Sequence, residues 1–275
     1  MRSPLSLRAQ AIDPWNSMYP ELDKLNLPEL IACFQNPLPE EESENSIYFD
    51  EVALLIRQQS KAGIDFLFGE LDRANLDQLR GIILALTFPP PVEHPSLRGI
   101  LLSYLHDRRP LIVAEAVDGL SFLGATDTAD AILPLRTHPD PYIRGSVLRF
   151  ISRLFPKEAP PILLEALQDP HYIVKENAID ELDDLGVIEA IPYIRPFLSD
   201  PHPDVVQAAQ TAISNLEELA LDQLTFESGA KFLNISRLLS QVFIPAGSWQ
   251  QACVSKQRGD LALLTLRSTW YTISS

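Results

Sequence analysis

The hydrophobic positions between residues 107 and 216 repeat at a fixed spacing. In each copy an apolar anchor is followed four positions later by a small or apolar residue, and eight positions later by another apolar residue. Spacings of four and eight lie on one face of an α-helix, so each copy is predicted to open with an amphipathic helix. The anchors are Ile112, Ile143, Val174 and Val205; the four-on positions are Ala116, Val147, Ala178 and Ala209; the eight-on positions are Leu120, Ile151, Leu182 and Ile213.

A second apolar segment follows the first three of these helices after a short break. The segments are TADAILPL at 128–135, APPILLEAL at 159–167 and EAIPYIRPFL at 189–198. Gly124 and Gly186 stand where the first helix of a copy is expected to end, a position that favours glycine. Each copy is therefore predicted to be a helical hairpin.

The boundaries between copies carry a repeated polar residue, usually followed by proline. Five positions before the four anchors stand Asp107, His138, Asp169 and Asp200. Proline follows three of them, at 139, 170 and 201. An Asp-Pro pair is typical of a helix start, because the carboxylate accepts hydrogen bonds from the free backbone amides of the first turn. Proline has no amide proton, but the amides of the first turn have no acceptor within the helix, so none is lost. The pair is predicted to mark the turn between hairpins.

A fixed period of about 31 residues built from two helices predicts a solenoid, since one hairpin alone cannot bury its apolar face and must stack on the next. The pattern D-P-x-x-x-V/I with alanine four positions later resembles the HEAT repeat, in particular the short phycobilisome-lyase HEAT-like repeat. This resemblance covers residues 107–216. The predicted fold class is all-α: a HEAT-like α-solenoid of stacked helical hairpins with atypical terminal caps.

Three regions are expected along the chain. Residues 1–46 form an N-terminal cap, with a short helix at LPELIACFQN and the acidic linker PEEESEN at 39–45. Residues 47–216 form the solenoid, divided into divergent repeats at 47–106 and regular repeats at 107–216. Residues 217–275 form a C-terminal cap and tail, with one or two helices at 217–243. The last stretch, GDLALLTLRSTWYTISS, is rich in β-branched and aromatic residues and is expected to form a strand or an irregular flap.

The charge of the chain argues against nucleic acid as a partner. The formal net charge is −15, and phosphate contacts need clustered lysine and arginine. Residues 158–220 hold much of the surplus, with 2 basic and 13 acidic side chains.

No window is apolar enough to span a membrane and the start lacks the apolar run of a secretory signal, so a cytoplasmic protein without a membrane partner is expected. Cys33 and Cys253 suit neither a disulfide framework nor a metal site.

Two polar groups invite a ligand hypothesis and have a plainer explanation. Asp140, His171 and His202 occupy equivalent positions, but stacked hairpins lie roughly 8 to 10 Å apart while a metal needs ligands at about 2 Å. Surface turn residues, and no metal, are therefore expected. The acidic run at 180–184 is expected to be a solvated face, with an electrostatic docking face as the other interpretation.

The opposite charge is concentrated between residues 136 and 157. This basic stripe consists of Arg136, Arg144, Arg149, Arg153 and Lys157. It suits an acidic partner, a phosphate or a bilin propionate. The competing interpretation is that these side chains pair with acids of adjacent repeats, a role that fits Arg144 because it directly follows an anchor.

No catalytic motif is present: the sequence has no glycine-rich phosphate loop, no G-x-S-x-G and no H-E-x-x-H. The leading hypothesis is a noncatalytic protein-binding scaffold or adaptor, without a catalytic residue or a cofactor. Its concave surface is expected to be lined by the second helices. Candidate contacts are Glu165, Tyr193 and Arg195, together with the basic stripe.

The resemblance implies a different function. Similar proteins include chaperone-like phycobilin lyases and phycobilisome degradation factors, which implies a groove for bilin or phycobiliprotein and a heterodimer with a second HEAT protein. Any enzymatic activity would then be lyase-like, with bilin as the bound group. A third class, a regulatory subunit that senses a small molecule or an ion in the C-terminal cap, is motivated by the loss of the period after residue 220.

Overall fold

The computed structural model describes the backbone of residues 18–36 and 45–242 and the side chains of residues 18–36 and 46–223. Within these residues every regular element is helical, and short 3-10 turns flank several α-helices. In chain order the α-helices are α1 Leu27–Gln35, α2 Asn45–Gln59, α3 Lys61–Glu70, α4 Leu76–Thr87, α5 Leu97–Tyr104, α6 Pro110–Phe122, α7 Ala129–Ile132, α8 Pro141–Leu154, α9 Ala159–Ala166, α10 Tyr172–Asp184, α11 Ile191–Ile194 and α12 Pro203–Val242.

The predicted hairpins are present, so the α-solenoid architecture is confirmed. The two helices of successive copies are α6 and α7, α8 and α9, and α10 and α11, while α12 is the first helix of the next copy. All four anchors of the repeat are buried, with exposures of 2% or less. The first helices of successive copies pack side by side, α4 against α6, α6 against α8 and α8 against α10. The core therefore runs along the chain from repeat to repeat.

The second helices of two copies are short because proline interrupts them. Pro134 and Pro196 lie within the 3-10 segments Leu133–Thr137 and Arg195–Ser199, which directly follow α7 and α11. Proline has no amide proton for the α-helical bond, and the tighter 3-10 geometry accommodates it. α9 carries its prolines in the first turn and continues to Ala166. We use "second-helix segments" for residues 129–137, 159–166 and 191–199.

The divergent repeats also consist of two successive helices each, α2 and α3 followed by α4 and α5, and α1 precedes them. α2 packs against α3, and α5 packs against α6 of the next copy. Asn26 caps α1 with a capping box to Glu29. α2 packs closely against α4 because Gly81 faces its backbone: a methyl group at Gly81 would lie 2.5 Å from the carbonyl oxygen of Phe49. Most of the acidic linker precedes α2 and lies outside the described residues.

The structure corrects the role of the Asp-Pro pair. Asp169 and Asp200 do not cap the helix directly; they accept the amide of the residue two positions on, His171 at 2.8 Å and His202 at 2.9 Å. Each helix starts later, and α10 begins at Tyr172 with His171 as its N-cap. The carboxylate closes an Asx-type turn because the amide it reaches lies only two positions further along the chain. The pair does mark the turn between hairpins, as predicted.

The C-terminal end of the repeats also differs from expectation. Residues 217–242 are helical, but they continue α12 instead of forming separate capping helices. The reason lies at the position one full repeat after Gly186, which is Glu217. Gly124 and Gly186 end their helices at φ values of +66° and +65°, whereas glutamate favours continued helix. The predicted strand or flap, with Trp270 and Tyr271, lies outside the described residues.

The chain divides into two compact units, residues 1–220 and 221–275. Among the described helices, none combines the length and the apolar character that crossing a membrane requires. The predicted boundaries at 46/47 and 216/217 stay predictions.

Candidate binding surface

The second-helix segments carry exposed apolar side chains. Leu133, Tyr193 and Leu198 are exposed to 41%, 58% and 37%. They are exposed because Ile132 and Ile194 supply the inward-facing position of the same segments and are fully buried. We call the exposed side chains of these segments the second-helix surface. It includes Leu133, Arg136, Glu165, Tyr193, Arg195 and Leu198.

Arg144 of the basic stripe is held by the neighbouring repeat. Its Nε and Nη2 donate to the two carboxylate oxygens of Asp169, both at 2.8 Å. Its Nη1 donates to the carbonyls of His138 and Pro139 at 2.8 and 2.9 Å. Burial tends to raise the pKa of Asp169, but the hydrogen bonds from Arg144 and the His171 amide hold it below its usual value. Four of the five N–H groups of this guanidinium are therefore engaged by the neighbouring repeat and by backbone carbonyls.

Arg149 lies between three first helices. Its Nε and Nη2 donate to Asp118 on α6 at 2.9 and 2.7 Å, and its Nη1 donates to the amide oxygen of Asn177 on α10. Ser146 accepts a further hydrogen bond from Nη2 at 2.8 Å. Burial lowers the pKa of Arg149, but the charge and hydrogen bonds of Asp118 outweigh it and raise the pKa overall. The guanidinium therefore stays charged within the helix layer.

The remaining members of the stripe have different surroundings. Arg153 donates to the hydroxyl of Ser121 and lies over the ring of Phe122, with its Cζ 4.3 Å from the ring centroid. Arg136 and Lys157 are exposed, and neither side chain forms an ion pair or hydrogen bond with another described side chain. Arg144, Arg149 and Arg153 contact neighbouring repeats, and contact of the stripe with a partner stays a prediction.

The three second-helix candidates are exposed. Glu165 is on α9, Tyr193 is on α11, and Arg195 opens the 3-10 segment after α11. Arg195 donates to Glu217 on α12 at 2.8 Å, and both side chains remain more than half exposed. A pair this exposed contributes about 0 to 1 kcal/mol, so Arg195 remains available to a partner. Contact of these residues with a partner stays a prediction.

A cleft of about 310 Å³ opens between two consecutive repeats. It brings three candidate residues together: Arg136 from the first repeat, Arg144 at the floor, and Glu165 from the next repeat. The full lining is Arg136, Thr137, Arg144, Leu148, Ile162, Glu165, Ala166, Gln168, Asp169 and Val174. The sequence does not indicate that Arg136 and Glu165 lie close together, because they belong to different repeats and are not spaced along one helix.

The equivalent residues Asp140, His171 and His202 are turn residues, as expected. Asp140 accepts the amide of Tyr142 at 2.9 Å, His171 accepts that of Ile173 at 3.3 Å, and His202 accepts that of Asp204 at 3.4 Å. The accepting atom of both histidines is Nδ1. Across the described part of the chain, no group of three or more His, Cys, Asp or Glu side chains is placed to hold a metal ion.

The acidic run on α10 is more buried than expected, since of its four carboxylates only Asp184 is exposed. Burial, and then the charges of Glu176 and Asp184, raise the pKa of Asp180 to about 7. Burial also raises the pKa of Glu181, against the hydrogen bond from Ser152 and the charge of Arg149. The expectation of a solvated face fails for three of the four: Asp180, Glu181 and Asp183 are half-buried. Glu181 accepts a hydrogen bond from Ser152 of α8, and Asp183 accepts one from Asn215 of α12.

Two contacts were missed by the sequence reasoning. Arg80 and Glu115 form a buried ion pair between α4 and α6, with Nε 3.3 Å from Oε1. Lys175 pairs with Asp200 in the arrangement of Arg144 with Asp169, one repeat later. The second pair has a sequence signal, because both of its members lie one full repeat after their counterparts. The first has none, because position 80 lies outside the regular period.

Comparison with known proteins agrees with the repeat architecture. A family profile described as HEAT repeats matches residues 159–225. No curated protein matches the sequence.

Solved structures with a similar fold include designed and natural repeat proteins. One is the designed armadillo repeat protein YIII(Dq)4CqI, with 18% identity, a TM-score of 0.42, and coverage of 70% of this chain and 100% of that chain. Another is the complex of CpcE and CpcF of phycocyanin lyase from Nostoc sp. PCC7120, with 15% identity, a TM-score of 0.44, and coverage of 78% of this chain and 91% of that chain. At these values no functional conclusion passes from those proteins to this chain.

Proposed function

We propose that this HEAT-repeat protein is a noncatalytic scaffold that binds another protein through its second-helix surface. One observation carries the proposal: this surface keeps apolar side chains exposed beside charges that have few partners within the chain. Tyr193 is 58% exposed, and Glu165 and Arg136 are exposed as well. Tyrosine and arginine are enriched among the residues that contribute most of the binding energy in protein interfaces, where they lie in partly apolar surfaces.

The first helices support the same assignment by contrast. Their charged residues are used to join one repeat to the next, as in the pairs of Arg149 with Asp118 and Arg80 with Glu115. Side chains that already have buried partners contribute to stability and specificity of packing, and a new partner would have to displace those contacts. The side chains of the second-helix surface have no buried ion pair to give up, so this surface is the part of the repeats best suited to recognition.

Site-specific photo-crosslinking tests this proposal. A photoreactive phenylalanine analogue replaces Tyr193 in the full chain expressed in its native host, and Glu93, which is exposed in the segment before α5, is replaced in a matched control. We expect a discrete cross-linked product from position 193 and none from position 93. We also expect Leu133→Ser together with Leu198→Ser to reduce the yield at position 193 about tenfold, because both substitutions remove apolar contact area.

The result separates the candidate functions. A product at position 193 that is lost in the Leu133→Ser, Leu198→Ser variant supports the scaffold, and mass spectrometry of the product identifies the partner. A product of equal yield from positions 193 and 93, or one that the double variant does not change, contradicts the use of this surface. A product containing a phycobiliprotein would favour the alternative function in bilin attachment or phycobilisome degradation, which a bilin absorbance titration with saturating protein then tests directly.

A further inference from the structure

The cleft between the second-helix segments of two consecutive repeats has apolar walls. Leu148 of α8, Val174 of α10, and Ile162 and Ala166 of α9 line it. Its volume of about 310 Å³ is at the lower limit for ligand pockets, which range from roughly 300 to 1,000 Å³. The space suits one large side chain better than an extended cofactor.

The floor of the cleft presents no unbalanced charge. Arg144 and Asp169 both line it, and they neutralise each other through two hydrogen bonds of 2.8 Å. Nη1 of Arg144 donates to two backbone carbonyls, and Asp169 also accepts the amide of His171. An occupant of the cleft therefore contacts a neutral floor, and its charge preference must come from other lining residues.

Those residues are Arg136 and Glu165. Both are exposed, they come from neighbouring repeats, and they form no ion pair with each other at 4.0 Å or less. One positive and one negative side chain thus border a small apolar space. The complementary group is an apolar side chain that is presented between an acidic and a basic side chain.

Two neighbouring features favour a protein segment over a free small molecule. Leu133, three residues before Arg136 in the same 3-10 segment, is 41% exposed and would gain burial from an occupant that extends beyond the cleft. Gln168 is an exposed lining residue whose amide can both donate to and accept from a peptide backbone.

We propose that this cleft is a docking site for one apolar side chain of a partner protein, flanked in that partner by an acidic residue that pairs with Arg136 and a basic residue that pairs with Glu165. The inference rests on the proposed function as a protein-binding scaffold and adds the chemistry of the segment it recognises.

Titration of the full chain with labelled peptides tests the proposal. Two blocked, fluorescein-labelled peptides carry Glu-Leu-Lys and Lys-Leu-Glu in the same Gly-Ser frame, and a third carries serine in place of leucine. We expect one charge order to bind about fivefold more tightly than the other, because two exposed pairs change from attractive to repulsive. We expect the serine peptide of the preferred order to bind about tenfold more weakly, because it leaves the apolar walls uncovered.

A charge exchange in the protein provides the decisive comparison. The double variant Arg136→Glu with Glu165→Arg should reverse the preferred peptide order. The matched control, Lys61→Asp with Asp65→Lys, exchanges the charges of an exposed pair that does not line the cleft and should leave the order unchanged. Reversal in the first variant and none in the control would establish the site.

Three results would overturn the inference: equal binding of both orders, the same preferred order after the exchange, or competition by N-acetyl-leucinamide as strong as that of either peptide. The last result would indicate a small apolar ligand in place of a protein segment. Cross-linking at Tyr193 is independent of these titrations, because Tyr193 is not a lining residue of the cleft. A persistent cross-link with failed titrations would reject the docking site and leave the scaffold function standing.

Discussion

Arg144 and Asp169 form a bidentate ion pair that joins one repeat to the next, with both N···O distances at 2.8 Å. The same relationship recurs one repeat later between Lys175 and Asp200. At the equivalent positions one repeat earlier stand Val113 and His138, so both members of the pair are replaced together. The pair is therefore a feature of the repeat, and its main effect is on stability.

Removing the carboxylate of this pair is expected to destabilise the chain. Asp169→Ala leaves Arg144 partly buried without its partner and also removes the acceptor for the His171 amide. We expect the free energy of unfolding to fall by about 3 kcal/mol, measured by urea titration with circular dichroism. Asp65→Ala is the control, because the Lys61–Asp65 pair is exposed and its loss should cost less than about 0.5 kcal/mol. Equal effects of the two substitutions would contradict the structural role.

The buried pair of Arg149 and Asp118 is expected to respond differently to single and double substitution. Arg149→Met leaves Asp118 buried between helices without its partner and should cost about 4 kcal/mol. Arg149→Met combined with Asp118→Leu removes both charges and should recover at least half of that loss, because packed apolar groups replace a desolvated ion pair. Urea titrations of the wild-type chain, Arg149→Met, Asp118→Leu and the double variant give the coupling energy. A double variant as unstable as the sum of the single variants would show that the two charges act independently.

The helices of the regular repeats could be predicted because their signals are local. The apolar anchors and the turn residues recur once in every repeat, and each hairpin is recognisable by itself. The end of the array could not be predicted from the period alone. A period says where the next helix should end, whereas the chain ends a helix only where a residue such as Gly186 stops it, and Glu217 does not.

The candidate site was only partly predictable for a different reason. A helical face can be identified from sequence, but the neighbour that each side chain meets depends on how the repeats stack. Arg149 and Arg153 share a helix face, yet Arg149 bonds Asp118 and Asn177 while Arg153 lies over Phe122. The cleft combines residues of α8, α9 and α10 with the segment after α7, and no sequence motif spans that set.

Two glycines that end helices are expected to differ in their tolerance of alanine. Gly124 and Gly186 both have positive φ, so alanine at either position costs about 1 to 2 kcal/mol of backbone strain. At Gly186 the new methyl group would also lie 3.0 Å from a methyl carbon of Leu219, whereas the space around Gly124 is open. Gly186→Ala should therefore be the more destabilising substitution, measured as the larger fall in urea midpoint. A larger fall for Gly124→Ala would contradict the packing of Leu219 against this turn.

The pH dependence of stability is expected to reflect the half-buried carboxylate of Asp180. Its folded pKa of about 7 lies above the unfolded value of 3.8, because burial and the charges of Glu176 and Asp184 disfavour ionisation. Between these two values the folded state binds the proton and the unfolded state does not. The contribution of Asp180 therefore lowers the free energy of unfolding as pH rises from about 4 to about 7, and the penalty is complete above that range.

Replacing this carboxyl with a group that cannot ionise should remove the effect. We expect Asp180→Asn to raise the free energy of unfolding at pH 8 by on the order of 2 kcal/mol and to change it little at pH 4.5. Urea titrations at the two pH values measure both quantities, with the exposed Glu165→Gln as control.

The surrounding charges decide what remains of the pH dependence. Arg149 and Arg153 face this side of α10 from α8, and Asn215 approaches from α12 to bond Asp183. The pKa values of Glu181, Asp183 and Asp184 are also raised by burial, so a residual slope of the same sign should persist in the variant. Asp107, Asp169 and Asp200 have lowered pKa values and lose their stabilising effect only below about pH 4, outside this window. An equal gain at both pH values would assign the benefit of Asp180→Asn to packing instead of ionisation.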